Sequence, residues 1–482
     1  MTYRTIMLAP ASAPVSPVFP RSPVAQASPA AIGPVRCRRI VLVDLIWTRD
    51  KDPRVPLGHA CLLASLRGDT RIDARSVLVP VNKRWSVTRI ADGIFAQAHG
   101  CAPDGIDIAI GAYVWNEAIL QALLPALRAR GFRGRIILGG PQISYVLAGL
   151  EQYYPDADLF IRGAAETALR LAVLAGSTAE TIPGVHYAGT PDLAGQATVN
   201  LASAPSPLLG GLIDLAGQDF LRWESQRGCA FKCTFCQHRQ ADSRVVKELF
   251  PQGRVSEEIA LICRAGVKEV AVLDPVFNSD SAHAVSVLRQ FSRHGFTGRL
   301  ALQCRIEQVD DDFLDAAAAL DVCLEFGLQT IHGNEQDAIK RRNNMRVVEQ
   351  VLAKVRARGI DHEVSLIFGL PEQTLASFTE SVAWCLARQV PIIKAFPLLL
   401  LRGTEMARDR DRWAMVDDGT PMQQAMASNS FSHTEHKSMA AISEALAATE
   451  GAHPPLAALL AMAATLRPDR SRFTPPAPGA AA

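Results

Sequence analysis

The residues best suited to chemistry are Cys229, Cys233 and Cys236, in the run Arg227-Gly228-Cys229-Ala230-Phe231-Lys232-Cys233-Thr234-Phe235-Cys236. The spacing C-x3-C-x2-C puts three thiolates on one short loop, where they can converge on a single inorganic centre. Soft sulfur favours an iron–sulfur cluster or zinc there. Gly228 would let the backbone wrap closely around the centre. A four-iron cluster held by three thiolates leaves one iron open to a substrate or cofactor, whereas a purely electron-carrying cluster normally takes four. Zinc would need a fourth donor, with His238 as the candidate, but its spacing from Cys236 is tighter than in usual zinc loops. The other seven cysteines (Cys37, Cys61, Cys101, Cys263, Cys304, Cys323 and Cys385) are scattered on apolar elements and read as reduced core thiols.

A frame must hold this loop, and the chain around it alternates apolar runs with helical periods. Strands are expected over 40–46, 77–79, 106–112, 135–138 and 158–161, with helices over 57–67, 87–98, 116–130 and 166–175. The alternation implies a parallel, doubly wound sheet. Its ligands would sit at the carboxyl ends of the strands, where Gly139-Gly140 turns. A second series follows a Pro/Ser/Gly-rich stretch at 202–211, with strands over 220–226, 269–273, 299–304, 322–329, 363–368 and 392–400. Helices fall between them, for example over 281–294, 311–319 and 348–358. Six such units predict a partly closed (β/α)6 barrel rather than an eight-stranded one. Helices over 438–448 and 455–466 should follow. The expected fold is therefore α/β: an N-terminal doubly wound sheet, a partial barrel and a helical extension. The corresponding units are a disordered leader (1–35), a Rossmann-type domain (36–201), a linker (202–219), the barrel (220–406), the extension (407–469) and a disordered tail (470–482).

Composition narrows the class. The 482 residues are 48% hydrophobic and 20% charged, which supplies several cores. A net charge of +2 creates no global field towards nucleic acid or membrane. No apolar run approaches the ~18 residues of a membrane span, and ten cysteines are too sparse for a disulfide scaffold. Residues 1–35 carry seven prolines, and no acidic residue precedes Asp44, so this segment cannot bury a core. Prolines also interrupt every candidate signal-peptide core; an organelle transit peptide is the alternative reading. A cytoplasmic, multidomain protein without membrane or nucleic-acid partners is expected.

The cysteine run, with Arg227-Gly228 before it and Phe235 inside it, resembles the signature of the radical S-adenosylmethionine (SAM) superfamily. The resemblance continues over roughly 206–406. Val272-Leu273-Asp274-Pro275-Val276-Phe277-Asn278 is similar to the family's second-strand segment, and Gln303-Cys304-Arg305-Ile306-Glu307 to its third. Glu325-Phe326-Gly327-Leu328-Gln329-Thr330 with Arg342-Asn343 resembles the fourth. Ile367-Phe368-Gly369-Leu370-Pro371-Glu372-Gln373-Thr374 resembles the fifth. The resemblance implies a [4Fe–4S] cluster on the three cysteines, whose open iron binds the amino and carboxylate groups of SAM. Reduction then breaks a carbon–sulfur bond and releases a carbon radical, the electron coming from a donor such as flavodoxin or ferredoxin. Backbone near Phe235 would support adenine, and Arg305 would pair an anionic or hydroxylated part of SAM. Asp274, Gln303, Glu325, Gln329 and Gly369 complete the expected cofactor contacts. A period of two puts Glu325, Gly327 and Gln329 on one face, where polar groups would need partners that SAM could supply.

The N-terminal series resembles the cobalamin-binding-type domain that precedes many radical SAM barrels, through 107–113, the helix from Asn116, Gly139-Gly140-Pro141-Gln142 and Gly163-Ala164-Ala165-Glu166. Base-off cobalamin proteins of that kind carry Asp-x-His-x-x-Gly after the first strand. Here Asp44 fits, but Ile46 stands at the histidine position. His59, on the next helix, reads as a satisfied histidine rather than a ligand. Losing the imidazole should lower corrin affinity unless the pocket encloses the ring otherwise, so stable cobalamin is not expected. The expected function is radical SAM modification of a small-molecule or peptide substrate in specialised metabolism. Alternatives are transfer of SAM's 3-amino-3-carboxypropyl group, as in arsinothricin-type biosynthesis, and cobalamin-dependent methyl transfer. A non-catalytic Fe–S electron carrier is the reading of a different class.

Overall fold

Residues 40–43 are Ile-Val-Leu-Val and buried throughout, the composition of a strand covered on both faces. They lie in β1 (Arg38–Ile46) of a computed structural model that describes residues 37–83, 85–176, 180–238 and 247–466. The segments expected as disordered leader and tail lie outside the described residues. β1 is joined by β2 (Ile72–Pro80), β3 (Ile106–Gly111), β4 (Arg135–Gly139), β5 (Leu159–Ile161) and β6 (Val185–Tyr187) in the order β2-β1-β3-β4-β5-β6. All neighbours are parallel except β5 and β6. The helices Leu57–Arg67 and Ala165–Ala175 cover one face, and Val87–Ala98 and Glu117–Ala129 the other. The sheet is doubly wound as expected. The second strand is longer than its apolar core suggests, because Ile72–Pro80 is an edge strand with mostly half-buried residues.

The barrel begins with β7 (Phe220–Trp223). A short antiparallel ribbon, β8 (Gln226–Gly228) with β9 (Lys247–Leu249), follows it. Then come β10 (Glu269–Val272), β11 (Arg299–Cys304), β12 (Asp321–Gln329), β13 (Asp361–Phe368) and β14 (Ile392–Pro397). The sheet order β14-β13-β12-β11-β10-β7 is wholly parallel and follows the chain, so β7 and β14 form the edges of a partial barrel. The face under the helices is closed by Trp223, Leu300, Phe326 and Phe368. On the inner face, Gln303 and Phe396 are exposed and Glu325, Gly327 and Gln329 are half-buried.

Two expectations change. The stretch expected as a linker is packed: Leu208, Ile213 and Leu215 are buried in the barrel's apolar cluster, anchors that its Pro/Ser/Gly content obscures. The C-terminal extension also belongs to that cluster. Its helix His433–Ala448 buries Met439, Ile442 and Leu446 there, while Ser443 donates to the Ala395 carbonyl at 2.7 Å, covering the last strand.

Candidate active site

The cysteine loop is fastened before it starts. Asp274, fully buried after β10, accepts from Ser225 N (2.7 Å), Ser225 Oγ (2.5 Å) and Gln226 N (3.1 Å). Burial lifts its carboxyl to about 7 despite these donors. Its acceptor atoms thus serve the base of the loop, and a direct cofactor contact, expected from its motif, is not what this placement offers. Gly228 has φ +87°, the conformation that lets the loop turn away from β8. Farther on, Thr234 N donates to Ile339 O (3.1 Å), and Thr234 O accepts from Met406 N (2.9 Å). The loop is therefore tied at its base and its middle.

The three thiols are free and partly exposed. Burial pushes Cys229 upward and Cys236 to about 11, with the neighbouring thiols adding to both. Arg341 works in the opposite direction. Its Nη1 lies 3.7 Å from Cys233 Sγ, and its other nitrogens donate to Gly327 O at 3.0 and 2.5 Å. A Cβ on Gly327 would come within 2.9 Å of that guanidinium, so the glycine makes the space that Arg341 occupies. Three soft donors beside a fixed cation suit an anionic iron–sulfur centre. Among the described residues no three His, Cys, Asp or Glu side chains are gathered for a single metal ion. His238, the zinc alternative, meets the loop through its backbone N–H, which donates to Cys236 Sγ at 3.4 Å.

Phe235 and Gln329 line one cavity of about 260 Å³ with Ser365, Ile367, Phe396 and Leu401. Arg305 lies over the Phe231 ring of the cysteine loop at 4.2 Å, donates to Arg342 O (2.7 Å) and pairs with Glu307 (3.3 Å). Gly369 has φ +84°, and its N–H donates to Gln373 Oε1 at 2.7 Å. Gln373, fully buried, also reaches Glu335, which accepts from Thr330 Oγ1 at 2.5 Å. This network locks the ends of β12 and β13 together, a role that the fifth-strand motif around Gln373 does not reveal. Cys229, Cys233, Cys236, Phe235, Arg305, Gln329 and Gly369 thus gather at the carboxyl end of the barrel. Gln303 and Glu325 face one another in register deeper inside. Burial and Glu363 raise the carboxyl of Glu325, and Lys394 and Arg49 oppose them, so the protein already supplies charged neighbours.

At the carboxyl ends of the N-terminal sheet the picture differs. After β1 the chain runs to the barrel, where Lys51 pairs with Glu269 (2.8 Å) and Asp52 with Arg222 (2.9 Å). His59 is buried against Ser76 Oγ (2.7 Å), and His186 against Glu151 (2.7 Å). His99 follows the helix Val87–Ala98, its carbonyl bound to Arg39 near the start of β1. The one imidazole near the strand ends, that of His59, is thus buried and engaged by Ser76 rather than open to a ligand. Asp44 is there, lifted to about 6 by burial, with His59 Nδ1 at 3.8 Å. Tyr113 and Trp115 stack at 4.3 Å beside it.

A three-thiol loop at the open end of a partial barrel, behind a doubly wound sheet, defines a cluster-dependent radical enzyme class. Residues 223–385 match the model of the Radical SAM superfamily, so the barrel is a radical SAM domain, with a cobalamin-binding-like Rossmann-type domain ahead of it. It is 26% identical over 380 residues to the cobalamin-dependent radical SAM methyltransferase TokK of Streptomyces tokunonensis, covering 72% of this chain and 53% of that protein. Identity to the 2-(S-pantetheinyl)-carbapenam-3-carboxylate methyltransferase of Streptantibioticus cattleyicolor is also 26%, over 61% of this chain and 46% of that one. The chain spans about half the length of these curated relatives. Its fold is similar to the radical SAM methyltransferase TsrM of Kitasatospora setae (TM-score 0.62, 18% identity, 84% of this chain and 85% of that one). The superfamily implies a [4Fe–4S] cluster and SAM. No helix among the described residues is long and apolar enough to cross a membrane.

Proposed function

We propose that this chain is a cobalamin-dependent radical SAM methyltransferase acting on a small molecule. The observation that carries the reading is the pair of methyltransferase relatives, the first aligned over 72% of the chain and so across both sheets. This reverses the order of the sequence expectations, in which methyl transfer was secondary. The reversal rests on kinship, because the one imidazole near the strand ends of the first sheet, that of His59, is buried and engaged by Ser76. A corrin here would be enclosed by shape and by polar contacts, with Asp44 and the Tyr113–Trp115 stack as its surroundings.

In this reading Cys229, Cys233 and Cys236 hold the cluster, and Arg341 offsets its charge. Phe235, Gln329 and Gly369 border the SAM site; Arg305 shapes its edge through Phe231, and Asp274 acts through the loop. Gln303 and Glu325 lie farther down the inner face. When bound, the cluster, SAM and cobalamin supply the electron, the radical and the methyl group. The protein's part is to keep water out and hold the groups in register. The units along the chain are the N-terminal Rossmann-type domain, the barrel and the packed helical extension, working without membrane attachment and with a small reduced electron carrier.

The test is anaerobic incubation with hydroxocobalamin, then desalting. Retention of about one corrin per chain, seen in the visible spectrum, is expected for a stoichiometric cofactor. A corrin-free protein that still converts SAM to 5′-deoxyadenosine would return the chain to general radical modification. Release of 5′-methylthioadenosine would favour 3-amino-3-carboxypropyl transfer.

A further inference from the structure

The chain leaving the barrel after β14 sends Arg402 into the N-terminal half. Its Nη2 lies 3.3 Å from Glu117 Oε1, and its Nη1 lies 3.3 Å from Tyr154 OH and 3.5 Å from the Gln142 carbonyl. The guanidinium also covers the Tyr153 ring at 4.2 Å. Glu117, Gln142 and Tyr154 are all buried, and Tyr154 OH donates to Glu117 Oε2 at 2.6 Å. Arg402 thus brings a cation to a buried carboxylate 285 positions away in the chain.

The same residue touches the cysteine loop. Its carbonyl accepts from Gln237 Nε2 at 2.8 Å, one residue beyond Cys236. The preceding Leu398, Leu399 and Leu401 wall the cavity that holds Phe235 and Gln329. Gly403, at φ +76°, brings the two halves into backbone contact: a Cβ there would fall 2.0 Å from Tyr145 O.

We propose that Arg402 is a positioning residue that fixes the last cysteine and the adjoining cavity wall against the Glu117–Gln142–Tyr154 cluster, so that the N-terminal half sets the geometry of the cluster and SAM site. Other bridges, such as Lys51–Glu269, join the halves without touching the cysteine loop. They provide the control for a merely adhesive role. The inference rests on the cluster and SAM of the superfamily and not on methyl transfer.

The full chain, reconstituted anaerobically without corrin, is compared as wild type, Arg402→Ala, Arg402→Lys, Gln237→Leu and Lys51→Ala. The readouts are iron content, SAM affinity and the change that SAM causes in the EPR spectrum of the reduced cluster. Arg402→Ala should keep its iron, bind SAM about tenfold more weakly, the size of one lost charged hydrogen bond, and lose most of the SAM-dependent spectral change. Arg402→Lys should restore part of both, and Lys51→Ala should match wild type. Gln237→Leu removes only the link to the loop and should alter the spectrum at an unchanged thermal midpoint, which keeps the test decisive if Arg402→Ala does not fold. Wild-type affinity and spectrum in Arg402→Ala, or in Gln237→Leu, would overturn the proposal, as would an equal loss in Lys51→Ala. A wild-type chain that takes up no iron would overturn both this inference and the cofactor reading beneath it.

Discussion

The barrel and the N-terminal sheet both turn strand ends towards the contact between them, but they are equipped in opposite ways. At the barrel end, three thiols on eight consecutive residues stand beside a fixed guanidinium at Cys233. At the N-terminal ends, the nearest histidine, His59, is buried and held by Ser76, and an aromatic pair and a half-buried carboxyl remain. A soft-metal centre needs particular donor atoms at particular spacings. A large organic cofactor can be enclosed by shape and scattered polar contacts. The first requirement writes itself into a short stretch of sequence, and the second does not.

Removing thiols is the harshest way to break this contrast. Cys229→Ala, Cys233→Ala and Cys236→Ala should each lose the iron, because a cluster with only three protein ligands cannot spare one. Iron analysis and the visible spectrum of the anaerobic protein read this out. Full iron content in any one variant would remove that residue from the ligand set. Corrin uptake should survive all three changes if the N-terminal sheet encloses its ligand independently.

The same contrast accounts for what could be read beforehand. The parallel strands of the barrel were legible because their apolar runs are bounded by helical periods, and 299–304 is the strand as expected. β6 escaped notice because three residues carry no periodicity. The cysteines were legible from spacing, whereas Arg341 was not: it lies 108 positions from Cys233, amid the basic run 340–342. Asp274 was found by motif but its task was not, since a buried carboxylate that clasps a turn and one that touches a ligand share the same sequence. Asp44 was seen in its place after the first strand, but its burial beside Tyr113 comes from tertiary packing.

Asp44 gives the next largest effect and tests the N-terminal side. Burial raises its carboxyl from 3.8 to about 6 in the folded chain. A raised pKa means that the folded state binds the proton more tightly, so its contribution to stability is complete below about pH 4 and is lost as pH rises through 6. The loss amounts to about 3 kcal/mol for a shift of roughly two units. His59, held down to about 4 by burial, is neutral by the time Asp44 ionises near pH 6 and does not offset the charge. Asp44→Asn should therefore be more stable than wild type at pH 8 and should lose that advantage below pH 4. Urea unfolding across that range measures it; parallel pH curves would mean that Asp44 ionises freely. Bound corrin that donates a hydrogen bond to Asp44 would flatten the wild-type curve and sharpen the contrast with the barrel.

The smallest effect separates two arginines of the barrel. Arg305 was expected to pair with SAM, yet its guanidinium is already engaged by Phe231, Arg342 O and Glu307, and burial lowers its pKa. Arg341 instead reaches the thiols, although two of its nitrogens are committed to Gly327. Arg305→Ala should therefore weaken SAM binding by about 1.5 kcal/mol, the low end for a charged hydrogen bond, because it loosens the Phe231 segment and leaves in place Arg341, the guanidinium that lies against the Cys233 sulfur. An anaerobic SAM titration measures this. In Arg305→Ala the spectrum of the cluster without SAM should stay as in wild type, whereas in Arg341→Ala it should shift, since that side chain reaches the Cys233 sulfur. A shifted spectrum in Arg305→Ala, with none in Arg341→Ala, would exchange the two roles.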